Sequence, residues 1–193
     1  TFAACENLKS VTANGNFRFS NTSLYTFQDC KALKTFTVNG SGDDYIEITP
    51  DAFRWCDNLE SVNVYRLKGT GENNEMDSVF VGCKKLKEVI STCEPEVNKV
   101  GYGCFLDCES LETVTLPKQA FKVNESAFKG CAALQSLDLA NVTLIGTKAF
   151  NGCNALTSIS INNIPTLENE DAFDEWHFTN TRIAVPDEKY STF

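Results

Sequence analysis

Nine cysteines and one histidine are the side chains of this 193-residue sequence best suited to nucleophilic, redox or metal chemistry. Seven of them, Cys5, Cys30, Cys56, Cys83, Cys108, Cys131 and Cys153, stand three residues after a phenylalanine and three before a leucine. Three chemistries compete for such a set. A disulfide needs Cα atoms within about 7 Å and side chains that point at each other. A structural zinc site needs four ligands around one point, and a thiol nucleophile needs a base within hydrogen-bond reach. Even spacing argues against zinc, because it supplies one thiol per repeat. Identical side chains in a stack point in parallel, so neighbouring thiols would lie in bridging range yet aim alike, and reduced, packed cysteine is the better reading. Cys104, beside Phe105, also reads as core, whereas Cys93 lies off the motif in an edge loop and is expected to be the exposed one. His177, flanked by Trp176 and Phe178, is expected to be a surface or packed residue rather than half of a dyad with a distant cysteine. No GxSxG, HExxH, Walker A or Gly-rich dinucleotide sequence occurs. Neither a metal nor a cofactor is implied, and enzyme activity is not expected.

The register that spaces the cysteines is FxxCxxLxxΦ, where Φ is Val, Phe, Leu or Ile. Copies begin at Phe2, Phe27, Phe53, Phe80, Phe105, Phe128 and Phe150, and a decayed eighth begins at Phe173. Intervals of 22 to 27 residues are those of stacked solenoids. Residues 1–193 therefore read as one solenoid of seven to eight repeats, in which 173–193 form a degenerate last repeat and cap. With each Phe as position zero, apolar residues at +9 and +11 alternate with mostly polar ones at +8 and +10. That period predicts a strand of roughly four to six residues with one buried face. Upstream, a small residue at −1 and apolar residues at −5 and −8 predict further core columns. Gly101, Asn124, Gly146 and Asn169 at −4 predict a tight left-handed bend there, followed by a short helical or 3-10 turn carrying Phe and Cys. A single unit buries too little apolar surface to offset the entropy of ordering its backbone, so the units must stack through parallel strands.

A formal charge of −9 argues against nucleic acid as a partner, since phosphate binders cluster Lys and Arg. No apolar run approaches the roughly 18 residues of a membrane span. Longer intervals place surface loops at Asn39 to Asp44, Arg66 to Asp77 and Ser91 to Asn98, rich in acids such as Asp43, Asp44, Glu72, Glu75, Asp77, Glu94 and Glu96. None has the alternating carboxylate spacing of a calcium loop. Sequons at Asn21, Asn39, Asn124 and Asn141 would be glycosylation candidates in a eukaryotic secreted protein, and arise by chance otherwise in so Asn-, Ser- and Thr-rich a chain. Thr1 and Phe2 already stand inside a repeat, so the chain reads as a piece from which upstream sequence is missing.

Outward strand positions form two rows. Position +8 reads Ser10, Thr35, Ser61, Glu88, Thr113, Ser136 and Ser158, and +10 reads Thr12, Thr37, Asn63, Ile90, Thr115, Asp138 and Ser160. From Thr35 onward these make a hydroxyl-rich candidate binding face, although Ser and Thr also simply suit an exposed sheet. A regular ice-binding lattice is interrupted by Glu88, Ile90 and Asp138.

The pattern AFxxCxxLxxΦxΦ, followed by a turn, an apolar residue and Gly, resembles the BspA-like leucine-rich repeat, the cysteine-containing class of bacterial surface proteins. The resemblance covers essentially the whole chain and is cleanest from Cys104 to Ile161. The end, from Arg182 through Val185 and Pro186 to Tyr190, is similar to the closing strand and tail of bacterial members, while Trp176 and Thr179 depart from the Cys and Leu of the pattern, which suits a cap. What the resemblance implies is a curved right-handed leucine-rich repeat solenoid with its parallel sheet on the concave side. It also implies export or surface display, with lipid anchoring through the missing N-terminal region one route, and a protein or glycan ligand. The alternative is a structural spacer or accessory module presenting another domain. The chain is expected to be monomeric or weakly associated end to end.

Overall fold

The structure, a computed structural model, describes residues 1–18, 25–69, 76–116, 118 and 120–184. The sequon at Asn21, the loop acids Glu72 and Glu75, and the closing stretch from Val185 through Tyr190 lie outside the described residues, as do the side chains of Trp176 and Thr179.

Each repeat contributes a strand, which begins at position +8 in the first seven and at +9 in the eighth. They are β1 (Ser10–Asn14), β3 (Thr35–Asn39), β5 (Ser61–Val64), β7 (Glu88–Ser91), β9 (Thr113–Val114), β11 (Ser136–Asp138), β13 (Ser158–Ser160) and β15 (Arg182–Ala184). All pair in parallel, one repeat apart, as in Thr35 with Ser61 and Ser61 with Glu88. The expected length of four to six residues holds from β1 to β7. It is too long for β9, β11 and β13, which have two, three and three residues.

A second parallel row runs beside the first through β2 (Phe17–Arg18), β4 (Ile46–Glu47) and β6 (Leu67–Lys68), which make one sheet, and β8 (Lys99–Val100), β10 (Lys122–Val123), β12 (Leu144–Ile145) and β14 (Thr166–Leu167), which make another. Its inward residues include Val100, Val123 and Ile145, which are the apolar −5 column. Two-residue strands carry too short an alternation to be read from sequence, which is why only their buried member was visible there.

The turn between the rows corrects one expectation. Left-handed backbone occurs at −2 (Tyr25, Asp51, Ser78, Gly103, Ser126, Lys148) and at +2 (Ala4, Asp29, Trp55, Gly82, Asp107, Gly130, Gly152), not at −4. Glycine at −4 answers to space instead. A Cβ on Gly101 would meet the Asp77 backbone nitrogen at 2.6 Å, and one on Gly146 would meet the Glu125 nitrogen at 2.5 Å. Both positions are where one turn lies against the next, and Gly146→Ala is expected to cost about 1–3 kcal/mol, as overpacking does. Thermal denaturation followed by circular dichroism would show it as a lowered Tm. The turns carrying Phe and Cys are not helical. Among the described residues the helical segments are a 3-10 turn at Glu170–Ala172, just before the eighth repeat, and α1 (Glu175–Asn180) within it.

Stacking joins the turns as well as the strands. The N–H groups at −2, 0 and +2 donate to carbonyls of the following repeat, as in Ser78 to Tyr102, Phe80 to Cys104 and Gly82 to Leu106. The phenylalanine rings form one column from Phe2 to Phe173, with neighbouring centroids 4.9–5.6 Å apart and planes within 17°. One apolar cluster extends from Phe27 to Ala172. At the C-terminal end the Asp174 carboxylate accepts the Gly152 N–H at 2.6 Å and also holds the Asn151 amide. It stands in for the main-chain carbonyl that a further repeat would supply, and so ends the turn ladder.

Candidate functional site

The cysteine column is the first candidate. All nine cysteines are free, and those at 30, 56, 83, 108, 131 and 153, with Cys104, are buried. Each column thiol donates to the carbonyl of the phenylalanine one repeat earlier, from Cys30 to Phe2 through Cys153 to Phe128, at 3.0–3.1 Å. The same carbonyls accept the N–H of their own cysteine, so both lone pairs are used inside the core. This explains why the position takes a small apolar residue that is also a donor. Burial pushes the Cys56 thiol up to about 12 and the thiols of Cys83, Cys104, Cys108 and Cys131 well above their ordinary value, which keeps them protonated and unreactive. Cys93, expected to be exposed, is half-buried, as is Cys5. Among the described residues no group of His, Cys, Asp and Glu is placed to hold a metal ion.

His177 is buried rather than on the surface. Its Nδ1 accepts the Asp174 N–H at 3.1 Å, which places the proton on Nε2, 3.0 Å from the Cys153 carbonyl. With its ring edge-on to Phe173, it packs the cap. Two sequon nitrogens are engaged, Asn39 with the Asn14 side chain and Asn141 with the Lys118 carbonyl. The loops at Arg66 and Ser91 are pinned together, since Arg66 and Lys68 reach Glu96 at 3.5 and 3.7 Å.

The outward rows are the second candidate. Parallel pairing places Thr35, Ser61, Glu88 and Thr113 side by side, Thr37 beside Asn63 and Ile90, and Ser136 and Asp138 beside Ser158 and Ser160. Thr115 lies just past the end of β9, and its N–H donates to the Val89 carbonyl at 3.0 Å. Exposure rises along the molecule. Thr35, Thr37, Ser61, Asn63, Glu88, Ile90 and Thr115 are half-buried, while Thr113, Ser136, Asp138, Ser158 and Ser160 are exposed.

These residues do not form one sheet. Strands β1, β3, β5, β7 and β9 make one, β11, β13 and β15 make another, and no strand pairing joins β9 to β11. Two open hollows lie on this face. One, of about 330 Å³, is lined by Glu60, Ser61, Lys87, Glu88, Glu112 and Thr113. The other, of about 240 Å³, sits over the break, between Glu112, Thr113 and Val114 on one side and Ser136, Leu137, Asp138, Ser158 and Ser160 on the other. Glu60, Lys87 and Glu112 come from position +7, a column outside the alternating strand pattern. Its run of Lys9, Lys34, Glu60, Lys87 and Glu112 was the signal that could have found them. Lys34 and Glu60 of this column lie 3.8 Å apart. Asp138 accepts the Ala140 N–H at 3.0 Å and the Ser160 hydroxyl at 3.3 Å, and Glu88 accepts the Asn63 amide at 3.4 Å. No aromatic residue lines either hollow.

The backbone is similar to that of a leucine-rich repeat protein from Bacteroides ovatus, at 21% identity and a TM-score of 0.53, over 94% of this chain and 55% of that one. It is also similar to a leucine rich cell surface protein from Faecalibacterium prausnitzii, at 19% identity and a TM-score of 0.51, over 84% of this chain and 62% of that one. The chain thus spans little more than half the length of either, and at these identities the likeness bears on the fold. No curated protein matches the sequence. The BspA type leucine rich repeat region matches in six copies, over residues 1–90 and 76–188. With nearly every layer of the solenoid inside those spans, the chain belongs to the BspA type leucine-rich repeat family.

Proposed function

We propose that this chain is a non-enzymatic binding module, displayed on a cell surface or secreted, that engages a protein or glycan of its surroundings through the outward face of its main sheet. The observation that carries this reading is the pair of polar hollows, which fall on a face whose side chains the repeat leaves free. The phenylalanine, cysteine and leucine columns are spent on packing, and seven of the nine thiols are buried. Surface display is supported by the described nature of the Faecalibacterium structure. No described helix is long and apolar enough to cross a membrane.

A screen of extracellular-matrix proteins and glycans would supply a ligand. Once one is found, the triple variant Thr35→Arg, Thr113→Arg and Ser158→Arg is expected to weaken binding at least about tenfold, since bulky charged groups at the centre of an interface cost most. Its circular dichroism should be unchanged, because all three side chains point away from the core. Binding by the triple variant at the native affinity would rule out this face and favour a spacer role.

A further inference from the structure

We infer that the break between β9 and β11 is the docking point of a cationic polypeptide segment in extended conformation; this rests on the face proposed above and names its ligand. Two independent observations meet at the break.

The first is main-chain geometry. A parallel sheet pairs every strand with both neighbours, yet β9 ends one sheet and β11 starts the next. The second row continues past this level through β8, β10 and β12, and the Phe105 and Phe128 rings remain 5.1 Å apart. At this level the second row and the phenylalanine column stay closed, and the hollow of about 240 Å³ lies on the main-sheet face. Edge strands leave alternate N–H and C=O groups without a strand partner, and an extended peptide is the ligand whose own backbone answers both. A saccharide offers hydroxyls but recognises its sites largely by stacking on aromatic faces, and none lines this hollow.

Charge is the second observation. Glu112 and Asp138 stand on the two sides of the break, and Glu88 adds a carboxylate in the adjoining hollow, where Lys87 is the lining cation and Glu60 is paired with Lys34 at 3.8 Å. Both carboxylates at the break are exposed. A segment carrying Lys or Arg at alternate positions would set its cations on the outward side, over Glu112 and Asp138 and among the hydroxyls of Thr113, Ser136 and Ser158, while its small side chains turn inward. The chain's net charge of −9 draws the same class of partner from a distance.

The test uses a fluorescent ten-residue peptide alternating lysine and serine, its glutamate–serine counterpart, and neutral hexasaccharides of glucose and of N-acetylglucosamine. Binding is read by anisotropy near physiological salt, where exposed charges more than about 8 Å apart are largely screened. The lysine peptide is expected to bind and the glutamate peptide not to. Glu112→Gln with Asp138→Asn, which keeps the acceptor oxygen used by Ala140 and Ser160, should weaken the lysine peptide about tenfold. Glu125→Gln with Glu170→Gln removes the same charge elsewhere and should change it less than about twofold. Equal loss in both variants, or no binding of the lysine peptide, overturns the inference. Saccharide binding that the arginine triple variant abolishes but the Glu112 and Asp138 variant leaves intact also overturns it, while sparing the face. If a ligand found by either route is indifferent to both variants, face and inference fail together.

Discussion

Raising the pH to about 10 under reducing conditions is expected to remove about 7 kcal/mol of folding free energy, comparable to the whole stability of an ordinary domain. The cause is five buried thiols, four from the column and Cys104. Cys56, Cys83, Cys104, Cys108 and Cys131 have an ordinary value of 9.0 when exposed, and burial raises all five in the fold. An acid whose folded pKa is raised favours the fold fully below its unfolded pKa, and that preference is lost as pH climbs from there toward the folded value. At pH 10 each unfolded thiol gains about 1.4 kcal/mol by ionising, and five such groups act together. Urea denaturation at a series of pH values would show stability flat below about pH 8 and then falling, with a slope that shrinks by about 1.4 kcal/mol per pH unit for each of these five cysteines replaced by alanine. Stability that stays level to pH 10 would mean that the thiols are bridged or open to solvent.

Phe105→Ala is expected to cost about 3–5 kcal/mol, the range for emptying a buried aromatic site. Its ring is fully buried between Phe80 and Phe128, with centroids at 5.3 and 5.1 Å. A solenoid is held together by nearest-neighbour interfaces, so a cavity at the middle layer weakens the coupling between the two halves as well as one repeat. The urea transition should move to lower concentration and lose steepness, or split into two. Phe2→Ala is the contrast: that ring is 53% exposed in the outermost layer, and its loss should cost far less. Equal effects at the two positions would contradict the stacked column.

Most of the scaffold was legible because its columns never vary. Phe at zero, Cys at +3 and Leu at +6 named the core, and the +8 to +11 alternation placed the starts of seven strands. What escaped was whatever the main chain decides. Left-handed residues at −2 and +2 include Tyr25, Trp55 and Lys148, types that carry no such signal, while the glycines at −4 mark contact between turns. The cysteine was read as packing, and its donation to the preceding phenylalanine carbonyl depends on a register that appears only after stacking. The outward rows were identified as residues, but their division at β9 and β11 was not, because Thr113 and Ser136 fit the same column on either side of the break. Of the acids that flank it, Asp138 stands in the +10 row, whereas Glu112, like Glu60 in the adjoining hollow, falls at +7, one step before the alternation begins.

Hydrogen exchange of the intact chain, with and without the lysine–serine peptide, bears most directly on the claim that recognition belongs to the outward face rather than to the invariant columns. Slowed exchange is predicted at 113–116 and 136–138, with the turns that carry the phenylalanine column unchanged. Protection confined to the turn side, where the exposed aromatics Tyr25, Trp55 and Tyr102 lie, would contradict it.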